Sequence, residues 1–185
     1  MKKKDLVALA LALRGEMDLT PHDRFDPLAL AELYGVQVLR LSELGCTPGT
    51  LEHLQISRSE VFSGALIPFD DGSTVIVEND AHVPERRAST ASHEMAHVVL
   101  EHPFAPALSD GKGCRLTNRE LEADANELAG ELLLPASAAR QLAYDRVPDA
   151  VAAKRFGVSI AFAAWRLNST GARKIAARAH AKRVH

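Results

Sequence analysis

His93-Glu94-Met95-Ala96-His97 sets two imidazoles four residues apart, with a carboxylate beside the first. On an α-helix four residues turn through about 400° and rise about 6 Å, so both rings face one side. Two neutral imidazoles so placed can grip one Zn²⁺. Glu94 is rotated to the flank, where it can act on a water as general base without being a ligand. A catalytic zinc also needs a third protein ligand and an open position. The metzincin pattern would put a glycine where Leu100 stands and a third histidine where Pro103 stands. His102 misses that register by one, so the third ligand is sought on a following helix, at Glu120 or Glu122. Glu120 has a competing task as the reciprocal member of a capping box begun by Thr117. Glu122 has Asn126 one turn on, and an amide there can orient a carboxylate. Glu122 is the better placed of the two, and Glu120 stays a candidate. No oxyanion donor can be singled out among His82, Arg87, His102 and Tyr144.

The elements that must position these side chains are legible from periodicity and breakers. Pro84 suits the first turn of a helix running to about residue 101, where Pro103 stops it. Thr117-Asn118-Arg119-Glu120 opens a second helix, Leu121, Ala125, Leu128 and Leu132 form its apolar stripe, and Pro135 ends it. Upstream, helices are predicted over 4–17 and 27–34 and a strand over 36–41. A Gly/Pro/Thr loop at 45–50 leads to β-type stretches at 54–67 and 73–77, joined at Asp70-Asp71-Gly72. Residues 61–67 or 73–77 could take an extended substrate as an added strand. Downstream, shorter helices are predicted at 136–145 and 148–156, and Gly157 turns the chain into a last helix at 159–168. The fold class is α+β: a small antiparallel or mixed sheet packed on a mainly helical, zincin-like domain. The HExxH segment lies on its active-site helix, with further helices towards the C-terminus.

A chain of 185 residues fits one domain, and 46% hydrophobic with 25% charged residues excludes a disordered or fibrous protein. The net charge of −2 hides a split. Eight of the 22 bases and none of the 24 acids fall in 151–185, so that segment is +8 and the first 150 residues are −10. Arg173, Lys174 and Arg178 are the candidate docking residues there, for a substrate or for DNA phosphates. Residues 148–168 read as a helical hairpin with helix-turn-helix features, with Phe156, Val158, Phe162 and Trp165 as its core. Residues 169–185 read as a basic tail. Cys46 and Cys114 form no CxxC pattern, which fits a reduced, cytoplasmic protein. Lys2-Lys3-Lys4 before an apolar run is read as a helix start rather than a signal peptide, because Asp5 interrupts it and no cleavage site follows. No stretch approaches a membrane span.

HEMAH, followed by Glu122-Ala123-Asp124-Ala125-Asn126-Glu127-Leu128-Ala129-Gly130-Glu131-Leu132-Leu133-Leu134-Pro135, resembles the ImmA/IrrE family of metallo-endopeptidases. Departures from the family's second motif are mild, at Asp124, Leu128 and Leu134. The likeness extends from the Pro21–Gly35 segment to Arg155-Phe156-Gly157-Val158-Ser159 and Trp165-Arg166-Leu167, and so covers about 21–168. The resemblance implies a single zinc metallopeptidase domain over 1–168, with His93, His97 and Glu122 as ligands, one Zn²⁺ per chain and Glu94 as catalytic glutamate. It also implies a protein substrate, a helix-turn-helix repressor of a mobile element or stress regulon. A DNA- or repressor-binding regulator with a structural or vestigial zinc site is the alternative. The intact Glu94 argues against it, since a structural site is closed by a fourth ligand and needs no base.

Overall fold

The computed structural model describes residues 1–69, 71–103 and 119–182. Helices dominate these residues: α1 (Lys3–Glu16), α2 (Pro27–Leu33), α3 (Pro48–Glu52), α4 (Pro84–Val99), α5 (Arg119–Leu133), α6 (Ala136–Tyr144), α7 (Asp149–Phe156), α8 (Ile160–Ser169) and α9 (Ala172–Ala181). Three strands form one mixed sheet: β1 (Gln37–Arg40), β2 (Gly64–Pro68) and β3 (Thr74–Glu78). The fold is therefore α+β, as the sequence predicts.

β3 is the central strand. It pairs parallel with β1 and antiparallel with β2. The register aligns Val38, Ile76 and Leu66 across the sheet, and these side chains turn into the main helical core. One residue further along, Leu39 and Val77 turn the other way with Val75, into a small cluster with Leu41, Leu51, Leu54 and Phe62. Both faces of β3 are covered, which is why it reads as an unbroken apolar run rather than an alternating one.

The main core lies between the sheet, α1, α4 and α5. α4 and α5 pack against each other with small side chains in their shared core, Ala96 on one helix and Ala125 and Ala129 on the other, beside fully buried Met95 and Leu128. Small residues let the two helix axes approach closely. Leu6, Ala10 and Leu13 seat α1 in the same core. Among the described residues two arginines are fully buried, Arg14 and Arg166, and both act on the far end of α5. Arg14 donates to the carbonyls of Thr20 (2.7 Å), Asp23 (2.5 Å) and Leu132. Burial lowers its pKa, against a raising influence from Asp23. Arg166 donates to Glu131 (2.6 Å), Glu127 (3.3 Å) and the Leu134 carbonyl (3.1 Å). A Cβ at position 130 would lie 3.0 Å from the Arg166 Nη1 atom, so Gly130 makes room for the guanidinium. Glu131 in turn accepts from the Ala136 amide at the start of α6 (2.9 Å).

Several expectations need correction. Residues 53–57 continue α3 as a wide helical turn and Ser59–Val61 form a 3₁₀ turn, so the 54–67 stretch is β only from Gly64. Leu51 and Leu54, at helical spacing, both point into the small cluster under the sheet. The segment after 168 is no tail: α9 packs on α6, burying Ala172 and Ala176, and His180 stacks on Tyr144 with ring centroids 4.9 Å apart. Alanines carry that packing, and they give little signal in a hydropathy pattern. Trp165 is 46% exposed and lies outside the core, whereas Phe156 and Val158 are buried as expected. Thr117, Asn118, Asp70, Cys114 and Arg183 lie outside the described residues. No helix among the described residues is long and apolar enough to cross a membrane.

Removing one partner from a buried charge pair leaves the other charge uncompensated, at about 3–5 kcal/mol. Arg166→Ala is therefore expected to lower unfolding free energy by about that amount in urea titrations. A loss under about 1 kcal/mol would contradict the role given to this pair.

Candidate metal centre

His93 and His97 lie on one face of α4, in its last two turns, and Glu122 lies in the first turn of α5. The partial positive charge of a helix N-terminus favours a carboxylate at that position. The Nε2 atoms of His93 and His97 are 3.1 Å apart. The Glu122 carboxylate oxygens stand 3.4 Å from His93 Nε2 and 3.5 Å from His97 Nε2. Tetrahedral ligands at about 2.0–2.1 Å from a zinc ion are separated by roughly 3.3 Å. Two imidazole nitrogens and a carboxylate oxygen at these spacings fit that donor set, and His93, His97 and Glu122 could hold a metal ion. Asn126, one turn after Glu122, lines the same cleft. Glu94 lines it too, beside His93.

The cleft has a volume of about 450 Å³ and runs from these side chains back along α4, past Thr90, Ser89 and Arg86. Its opposite wall is Glu60 to Gly64, the approach to β2. Gly64 is needed there. A Cβ at this position would lie 2.5 Å from Thr90 Cγ2 and 3.0 Å from the Val77 carbonyl oxygen, so only glycine lets β2 press against α4. Arg86 braces the wall by donating to Ser63 Oγ (2.8 Å).

Of the oxyanion candidates, His82, Arg87 and Tyr144 are placed elsewhere. His82 Nε2 meets the Ser59 carbonyl (2.9 Å), Arg87 pairs with buried Glu78, and Tyr144 stacks on His180. His102 sits with its Nδ1 2.9 Å from Nδ1 of His97. Sequence reasoning placed His102 only at a helix end. Its signal was its position, five residues after His97 and directly past the helix.

The candidate docking residues on α9 are all exposed, and Arg173 also pairs with Asp149 and donates to Asn168 (3.3 Å). Arg166, counted in the +8 segment, is wholly inside the protein.

Burial is the main reason that the His97 pKa falls from 6.5 to about 4, with neighbouring His93 adding to the drop and Glu122 opposing it. The folded protein thus binds this proton less readily than the unfolded chain. Its contribution to stability is complete above pH 6.5 and is lost as the pH falls towards 4. Proton NMR titration of the metal-free protein is expected to put His97 near 4; a midpoint near 6.5 would contradict the burial seen here.

The family model described as the IrrE N-terminal-like domain, a peptidase family, matches residues 31–168, about three quarters of the chain. No curated protein matches the chain closely. The matched range spans the sheet and the α4–α5 pair that carries His93, His97 and Glu122, and the chain belongs to the IrrE N-terminal-like peptidase family.

Proposed function

We propose that the protein is a zinc-dependent endopeptidase in which His93, His97 and Glu122 hold the ion and Glu94 is the general base. The observation that carries this is the convergence of two imidazoles and a carboxylate from two helices, beside an open cleft lined by His93, Glu122 and Glu94. When bound, the ion supplies Lewis acidity towards a carbonyl oxygen and towards water. Glu94, one residue from a ligand but turned to the flank of α4, takes the proton of the attacking water. It then delivers that proton to the departing amine nitrogen. Asn126 steadies the Glu122 carboxylate from one turn along α5.

The sheet gives the substrate its place. β3 is hydrogen-bonded on both sides, so it cannot accept another strand. Among the described residues β2 is an edge strand, and its start at Gly64 borders the cleft. An extended peptide can pair with a free strand edge through its backbone, which tolerates varied sequences, while cleft side chains such as Arg86 and Thr90 select among them. A helix-turn-helix repressor as the substrate rests on the family resemblance, as does a regulatory role; action in the cytoplasm rests on the cysteine usage.

A DNA contact is the second reading. It is favoured by the α7–α8 hairpin, in which Gly157 takes a left-handed φ of 68° and Ser159 caps α8 by accepting from the Phe162 amide (3.1 Å). Against it, Arg166 is buried on Glu131 and the exposed Arg173 already pairs with Asp149, which leaves Lys154, Arg155, Lys174, Arg178 and Lys182 as the other exposed bases among the described residues of that segment.

Glu94→Gln tests the proposal. Zinc content is expected to stay at one per chain while cleavage of a co-expressed repressor falls by at least ~10²-fold, the usual scale of a lost general base. Cleavage at the wild-type rate would overturn the assignment of Glu94.

A further inference from the structure

We infer that His102 is a positioning residue for the metal site, holding His97 in the one tautomer that can bind the ion. The inference rests on His97 being a ligand through Nε2, as proposed above.

The backbone makes the arrangement possible. After Leu100, Glu101 takes a left-handed φ of 50°. The Glu101 amide donates to the Val98 carbonyl (3.0 Å) and the His102 amide donates to the His97 carbonyl (3.0 Å). These two bonds are the paired closure of a Schellman motif, with His97 and His102 at the positions whose side chains normally make an apolar contact. Here that contact is between two imidazoles. The rings meet edge-on at 72°, with centroids 4.9 Å apart and the Nδ1 atoms 2.9 Å apart. His97 is thus tied to His102 twice, once through its carbonyl and once through its ring. A non-glycine residue in the left-handed region is strained, and such strain concentrates where a site requires it.

The chemistry follows from counting donors. Nδ1 of His97 faces His102, and Nε2 faces His93 and Glu122. For Nε2 to offer its lone pair to a metal, the proton of the neutral ring must be on Nδ1. That N–H then donates to Nδ1 of His102, which must carry its own proton on Nε2. Ligand histidines elsewhere obtain the same orientation from a carboxylate or a carbonyl, and losing that partner weakens metal binding by roughly 10–100-fold. Here a second imidazole takes the place of the carboxylate. It fixes the ring and the tautomer without adding negative charge beside Glu122.

Zinc affinity, measured by competition with a chromophoric chelator, tests this without depending on cleavage. Wild-type protein is expected to bind one zinc, and His102→Ala to bind it roughly 10–100-fold more weakly. His102→Phe keeps a ring but has no acceptor, so it should lose as much. His102→Asn restores an acceptor close to the Nδ1 position and should recover most of the affinity. Nitrogen-15 NMR of the zinc-loaded wild type should find the His102 proton on Nε2. Unchanged affinity in the Ala and Phe variants, or a His102 proton on Nδ1, would overturn the inference while leaving the zinc reading intact. Wild-type protein that binds no zinc would overturn both.

Discussion

Three donor atoms from two helices have to meet within about the edge length of one zinc tetrahedron, and the separation of α4 and α5 decides whether they do. Two of the donors share α4 and need only helical spacing. The third arrives on α5, so a shift of about 1 Å between the helices would spoil the set. Alanines at 96, 125 and 129 in the shared core let the helices come close, beside the fully buried Met95 and Leu128. α5 is then held at its other end by two buried arginines, Arg14 of α1 and Arg166 of α8. Burying a guanidinium is unfavourable unless its donors are satisfied. Arg14 spends its donors on three carbonyls and Arg166 on two carboxylates and a carbonyl. Each therefore demands a particular placement of α5, which a purely apolar contact would not.

The sheet applies the same logic from the other side of the cleft. Covered on both faces, β3 is fixed in place, and β2 hangs on it as the edge. Gly64 lets that edge come down onto α4 at Thr90, one turn before His93. The substrate wall and the metal side chains are thus positioned by the same helix. A peptide bound along β2 would have its backbone direction set before any side chain is read.

Much of this was legible in the residues. HExxH carries its own geometry, since the helix that holds it is marked by Pro84 and stopped near Pro103. Ile76 and its neighbours announced a buried strand. The choice between Glu120 and Glu122 leaned on a capping argument, and in the structure it is Glu122 that stands against both imidazoles. What stayed hidden depended on tertiary contacts. Periodicity cannot tell that β2 rather than β3 is the free edge. Arg166 looked like one of eight surface charges, because a buried ion pair has no sequence signature until its partners on α5 are placed. α9 packs through alanines and looked like a tail. His102 was invisible as a partner because only the left-handed turn at Glu101 folds it back onto His97.

The central claim is that two imidazoles and one carboxylate form a real zinc site. X-ray absorption on the zinc-loaded protein measures this most directly. The account predicts about one zinc per chain in a shell of nitrogen and oxygen only, with two imidazole nitrogens near ~2.0–2.1 Å and a carboxylate oxygen near ~2.0–2.2 Å. His93→Ala should abolish that shell. A sulfur at ~2.3 Å, or an unchanged spectrum after His93→Ala, would contradict it.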